Sequence, residues 1–121
     1  MWLLDESPSL VRIYDVLYRL GITANYTGFF YVSYAVWLSS RQPDRLLLVT
    51  KWLYPEVAKH YDTNWKAVER SIRTVVDAAW RNDPRLLSEL AGRPLHEKPR
   101  PAQFLAILAK EAEPWRNITS L

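Results

Sequence analysis

The apolar positions of this chain fall almost entirely in helical register. From Asn64 onward, Val68, Ile72, Val75 and Ala79 recur at i, i+4, i+7 and i+11, which puts them on one side of a 3.6-residue helix. Lys66, Arg70, Arg73 and Asp77 keep the same spacing on the opposite side, with Thr74 beside them. The pattern predicts an amphipathic helix over about 64–81. Just before it, Tyr54 to Tyr61 predicts a shorter helix, with Pro55 in a first turn that has no use for its missing N–H. Tyr61-Asp62-Thr63-Asn64 then reads as a tight turn, with Thr63 or Asn64 capping the longer helix.

The same reading extends to the rest of the chain. Leu10, Ile13, Leu17 and Leu20, widened by Tyr14, predict a first helix entered through Ser7-Pro8 and ended by Gly21. Residues 28–40 carry Phe29, Phe30, Tyr31, Tyr34 and Trp37 nearly all round, and a helix apolar on most sides belongs at the centre of a core. Arg41-Gln42-Pro43 breaks it, and Asp44 to Leu53 predicts a third helix. Asp83-Pro84 opens a short helix that Gly92 stops, and Arg93 to Arg100 is a proline-rich loop. Pro101 to about Ala112 is the last helix, with Phe104, Leu105 and Leu108 inward and Pro114 beyond its end. No strand-like alternation exceeds four residues. The expected fold is all-α: one compact domain of six or seven helices over 1–121, containing a helix-turn-helix at about 55–81. Trp37 and Trp80 are expected in the core, and Trp65 as a plug at its N-terminal edge.

Composition narrows the function classes. A length of 121 residues with 49% apolar residues and six Trp suffices for one core. The absence of Cys excludes a disulfide framework or thiolate metal site and fits a reducing, cytoplasmic setting. The start MWLLDES has neither a basic n-region nor a long apolar run. The longest apolar stretch, Phe29 to Leu38, is about half the roughly 20 residues of a membrane span. Net charge is only +3, yet its placement is uneven. Residues 41–82 hold Arg41, Arg45, Lys51, Lys59, Lys66, Arg70, Arg73 and Arg81 against Asp44, Glu56, Asp62, Glu69 and Asp77, while cations and acids balance elsewhere. The whole excess therefore lies around the proposed helix-turn-helix, where phosphate contacts would need it.

Candidate chemistry follows from that placement. Arg70 and Arg73 lie one turn apart, and a guanidinium pairs bidentately with guanine O6 and N7. Glu69 could accept from cytosine N4 or orient Arg73 from i,i+4, and Lys66 completes the base-facing set. Lys51, Lys59, Thr74, Thr63 and Asn64 are placed for phosphate. The competing reading is an ordinary solvated cationic face. Catalysis finds no support. His60 and His96 lack ligand-like neighbours, there is no Gly-rich phosphate loop, and the acid pairs Asp5/Glu6 and Glu111/Glu113 read as solvated charge. No metal or cofactor is expected.

The segments TKWLYPEVAKHYDT and VERSIRTVVDAAW are a more specific signal. They resemble the C-terminal effector domain of the stage-zero sporulation response regulator, the master regulator of sporulation in endospore-forming Firmicutes. The matching positions are Thr50, Lys51, Leu53, Tyr54, Pro55, Val57, Ala58, Lys59 and Tyr61, then Val68, Glu69, Arg70, Ile72, Arg73, Val76, Ala79 and Trp80. A weaker likeness covers Leu17 to Ala35, and Gln103–Ala109 fits the family's last helix. The resemblance implies an all-helical transcription regulator that recognises short boxes in sporulation promoters. Its partners would be double-stranded DNA, a second copy on DNA, and RNA polymerase or a full-length sporulation regulator. Two departures touch the reading surface. Lys66-Ala67 stands where the family carries Ser-Arg, whose Arg reads a base, and Thr74 stands where it usually has His. Family regulators also carry an N-terminal receiver domain, for which Met1 to Ser7 leaves no room, so the chain reads as a stand-alone member or an excised effector.

Overall fold

A computed structural model describes residues 8–112. The Ser7 cap, the acid pair Asp5/Glu6, Glu113 and the Pro114 stop lie outside the described residues. Within them the chain forms α1 (Pro8–Arg19), α2 (Gly28–Arg41), a 3-10 turn (Pro43–Leu47), α3 (Val49–Trp52), α4 (Tyr54–His60), α5 (Trp65–Asn82), α6 (Pro84–Ala91) and α7 (Pro101–Ala112), with no strand among the described residues. The all-α class and the positions of the long helices agree with the periodicity.

The helix ends are built by local chemistry that the sequence advertises. Gly21 takes a φ of 81°; its N–H donates to Tyr18, and that of Ile22 donates to Leu17. This pair of bonds closes the last carbonyls of α1, and the flanking Leu17 and Ile22 are both fully buried. Gly92 ends α6 in the same way, through Glu89 and Ser88. The Asp83 carboxylate accepts from Leu86 N–H at 3.0 Å and so opens α6.

α2 is the central helix. It packs against α1, α4, α5, α7 and the 3-10 turn. Its buried face, however, is made of Gly28, Phe29, Val32, Ser33, Ala35, Val36 and Ser39, so that Phe29 alone of its large aromatics is buried. A helix crossed on several sides needs small residues at the crossings, and the other four rings are displaced to the rim. There Tyr34 stacks on His60 at 4.0 Å between centroids, Tyr31 meets Tyr61 at 5.3 Å, and Tyr34 meets Trp37 at 5.9 Å. Trp37 is therefore half-buried, not buried, and the Arg41 guanidinium lies 4.4 Å from its ring centre. Trp80 is likewise half-buried against the core.

Two further expectations are corrected. Asp44 to Leu53 is not one helix but the 3-10 turn followed by the single turn of α3. Leu48 sits between them at φ −152° and ψ 78°, outside helical space, and Leu47 is 76% exposed. Trp65 is no core plug: it is the first residue of α5, one turn before the buried stripe begins at Val68, and is 36% exposed.

Candidate nucleic-acid interface

α4, the turn and α5 together make the helix-turn-helix. Asp62 takes the left-handed conformation (φ 56°), which reverses the chain while Thr63 N–H returns to Ala58 at 2.9 Å. An Asp at that φ costs less than a branched residue would, because its short side chain tolerates the left-handed region. Of the two proposed caps, Asn64 performs the role: its Oδ1 accepts from Ala67 N–H at 2.9 Å. Thr63 is half-buried in the turn.

α5 is 18 residues long, about 27 Å at 1.5 Å per residue. Val68, Ile72, Val75, Val76, Ala78 and Ala79 are buried, so the stripe read from the sequence is the core face, widened by two residues. The helix is seated closely. A Cβ on Gly28 would lie 2.5 Å from the Ser71 carbonyl oxygen and 2.7 Å from Val75 Cγ2. At the far end, Asn82 Nδ2 donates to the carbonyls of Leu20 and Gly21 at 3.2 and 3.4 Å, which ties the tail of α5 to the end of α1.

The opposite face is open. Lys66, Arg70, Arg73 and Thr74 are all exposed. Residues 67, 70 and 74 follow one another at i, i+3 and i+7, so Ala67 occupies the next turn of the row that holds Arg70 and Thr74. Arg73 pairs with Glu69 across one turn at 3.6 Å, with side chains 62% and 32% exposed. Such a pair is worth only about 0.3–0.5 kcal/mol, so it holds the Arg73 guanidinium weakly. The Thr74 hydroxyl donates to the Arg70 carbonyl at 3.1 Å, and Lys66 Nζ lies 5.7 Å from the Trp65 ring centre.

The structure groups the other candidates in part. Lys51 on α3 and Lys59 on α4 line one shallow depression with Trp52, Pro55, Glu56 and Arg45. Arg45 was legible only as part of the basic excess. Its Nη1 donates to the Trp52 carbonyl and its Nε to Gln42, which holds the guanidinium beside the two lysines. Among the described residues no group of His, Asp or Glu is placed to hold a metal ion, and no helix is long and apolar enough to cross a membrane.

Tyr54, at the start of α4, is buried. Burial first, and then the Glu69 carboxylate, push its phenol up to about 12, with Arg73 opposing. A raised acid pKa stabilises the fold below the unfolded value, near 10, and that stability is lost as pH climbs towards the folded value. The loss should reach about 2 kcal/mol between pH 10 and 12, at 1.36 kcal/mol per pKa unit. Urea midpoints measured from pH 8 upward should fall above pH 10, and Tyr54→Phe should flatten that fall. An equal decline in the variant would assign it to other groups.

A short helix, a tight turn and a longer helix with a cationic outer face and an apolar inner face is the arrangement found in helix-turn-helix domains. The particular family is set by a sequence match. The family described as the sporulation initiation factor Spo0A C terminal matches residues 13–112, and the chain belongs to that family. It is thus a DNA-binding effector domain of a sporulation regulator.

Proposed function

We propose that these 121 residues bind promoter boxes by placing α5 in the major groove, with Arg70 and Arg73 reading bases. Glu69 and Lys66 complete the reading set, and Lys51, Lys59, Thr74, Thr63 and Asn64 touch or border phosphates. The observation that carries this reading is the exposed row on α5, anchored by a buried stripe and backed by a close seat against Gly28. Rigid placement matters because a base contact requires guanidinium geometry that a loosely held helix would not supply. The hydroxyl of Thr74 donates to the Arg70 carbonyl, so contact with a phosphate oxygen requires that single O–H to turn from the carbonyl to the phosphate.

Binding by this chain requires no phosphoryl group, because its reading surface is already exposed. It should be less discriminating than is usual for such regulators, since the Ala67 methyl leaves one turn of the reading row without a hydrogen-bonding group. The phosphate term remains, and it falls with salt by about 0.9 in the log–log slope per neutralised phosphate. The test is a salt series of binding constants on duplexes carrying the sporulation box and on scrambled duplexes. Steep salt dependence with a modest gap between the two is expected. Ala67→Arg should widen the gap by about tenfold, the lower end of what a base-reading Arg contributes, on a box with guanine at the facing position. If neither protein binds DNA at low salt, the domain is instead an interaction module or an antagonist of a full-length regulator.

A further inference from the structure

The segment between α6 and α7 has no role in the helix-turn-helix, yet it runs alongside α5. Residues 92–100 contain Arg93, His96, Lys98 and Arg100 against the single acid Glu97. The path is held, not loose. Leu95 N–H donates to Ser88 Oγ at 3.0 Å, Pro99 is buried, and the Arg100 carbonyl accepts Phe104 N–H at the start of α7. Three prolines, Pro94, Pro99 and Pro101, fix φ along it. Lys98 reaches Asp77, 21 residues away in sequence, and forms an ion pair with it.

Asp77 is the fourth member of the exposed row Lys66, Arg70, Arg73, Asp77. A carboxylate there would repel a phosphate approaching the C-terminal half of α5. Lys98 neutralises it, and Arg73, Asp77, Lys98 and Arg100 together line one shallow groove with Val76, Pro99 and Pro101. Three cations against one acid leave that groove positive. Both members of the ion pair stay about half exposed, so the groove remains open to a ligand from outside.

We propose that this proline-pinned strap is a second DNA contact, in which Lys98 and Arg100 engage backbone phosphates flanking the groove read by α5. The proposal rests on the DNA-binding reading above. Because the strap is held in place before binding, its cations reach phosphate with little ordering cost. It carries no base specificity, since phosphates are the same in every sequence.

The test uses the whole chain and binding constants over a salt series on box and scrambled duplexes. Lys98→Gln combined with Arg100→Gln should lower affinity on both duplexes by the same factor, about tenfold or more at low salt, and reduce the salt slope by about 1 to 2. Lys110→Gln, a loss of charge on the exposed last turn of α7, should leave the slope within about 0.3 of wild type. Asp77→Asn should tighten binding to both duplexes a few-fold at low salt. Thermal melting of the double variant should match wild type. An unchanged slope in the double variant overturns the strap while wild-type binding stands, as does a slope change equal to that of Lys110→Gln. Loss of all binding by wild type overturns the DNA reading and the strap together.

Discussion

Gly28→Ala is expected to destabilise the domain by about 2–3 kcal/mol and to weaken DNA binding as well. The added methyl would meet the Ser71 carbonyl oxygen at 2.5 Å and Val75 Cγ2 at 2.7 Å. Two effects oppose each other. Alanine gains up to about 1 kcal/mol of helix propensity over glycine, but Gly28 is the first residue of α2, where propensity counts least. Overpacking a tight contact costs about 1–3 kcal/mol and more where the neighbour is backbone, because a carbonyl inside α5 cannot rotate away. The clash therefore wins, and α5 must shift outward. Ser71 adjoins Arg70, so the shift would displace the reading row. Thermal melts should drop by roughly 10 °C, taking about 4 °C or more per kcal/mol for a domain of this size. Val75→Ala in the same chain should restore only part of the loss, since it relieves the methyl contact and leaves the carbonyl one. A variant that melts at or above the wild-type temperature would show that the two helices do not approach so closely.

The second large effect is expected at Arg70. Arg70→Ala should cost about 1–3 kcal/mol on the preferred box, roughly five- to 150-fold in affinity, and relax the preference at one base pair. Arg73→Ala should cost less. Arg73 is paired with Glu69, whereas among the described residues no acid forms an ion pair with Arg70. The comparison is made by competition with duplexes substituted singly at each position of the box. Equal losses on the box and on scrambled DNA would mean that Arg70 touches only phosphate.

Much of this architecture was legible because it is local. The alternate faces of α5, the Asn64 cap, the Asp83-Pro84 start and the stops at Gly21 and Gly92 each depend on residues within a few positions of one another. What was not legible depends on contacts far apart in sequence. Residues 44–53 carry helical spacing, but Leu47 and Leu48 find no core to cover them, and the segment breaks at Leu48. The aromatics of α2 have no single apolar face, so periodicity could not say which would be buried. Gly28, Ala35 and Ser39 decide it by admitting neighbouring helices. The candidate reading row was visible as a row, but its relation to Lys98 and to Arg45 was not. One arises from a pairing 21 residues apart and the other from a turn whose geometry the pattern misread.

Arg12 gives the fold a different property. Its Nε donates to the Glu111 carbonyl at 3.1 Å and its Nη2 to that of Ala112 at 3.4 Å, across a sequence separation of 99 to 100 residues. A charged donor at a helix C-terminus completes the open carbonyls there and complements the dipole. The first and last described helices are thereby clasped to each other. Fraying cannot begin at one end without loosening the other, and α2 lies against both. Partial opening is therefore costly, and the domain should lose its structure in a single cooperative step. Amide protons in the middle of α5 would then exchange with solvent only when the whole molecule opens.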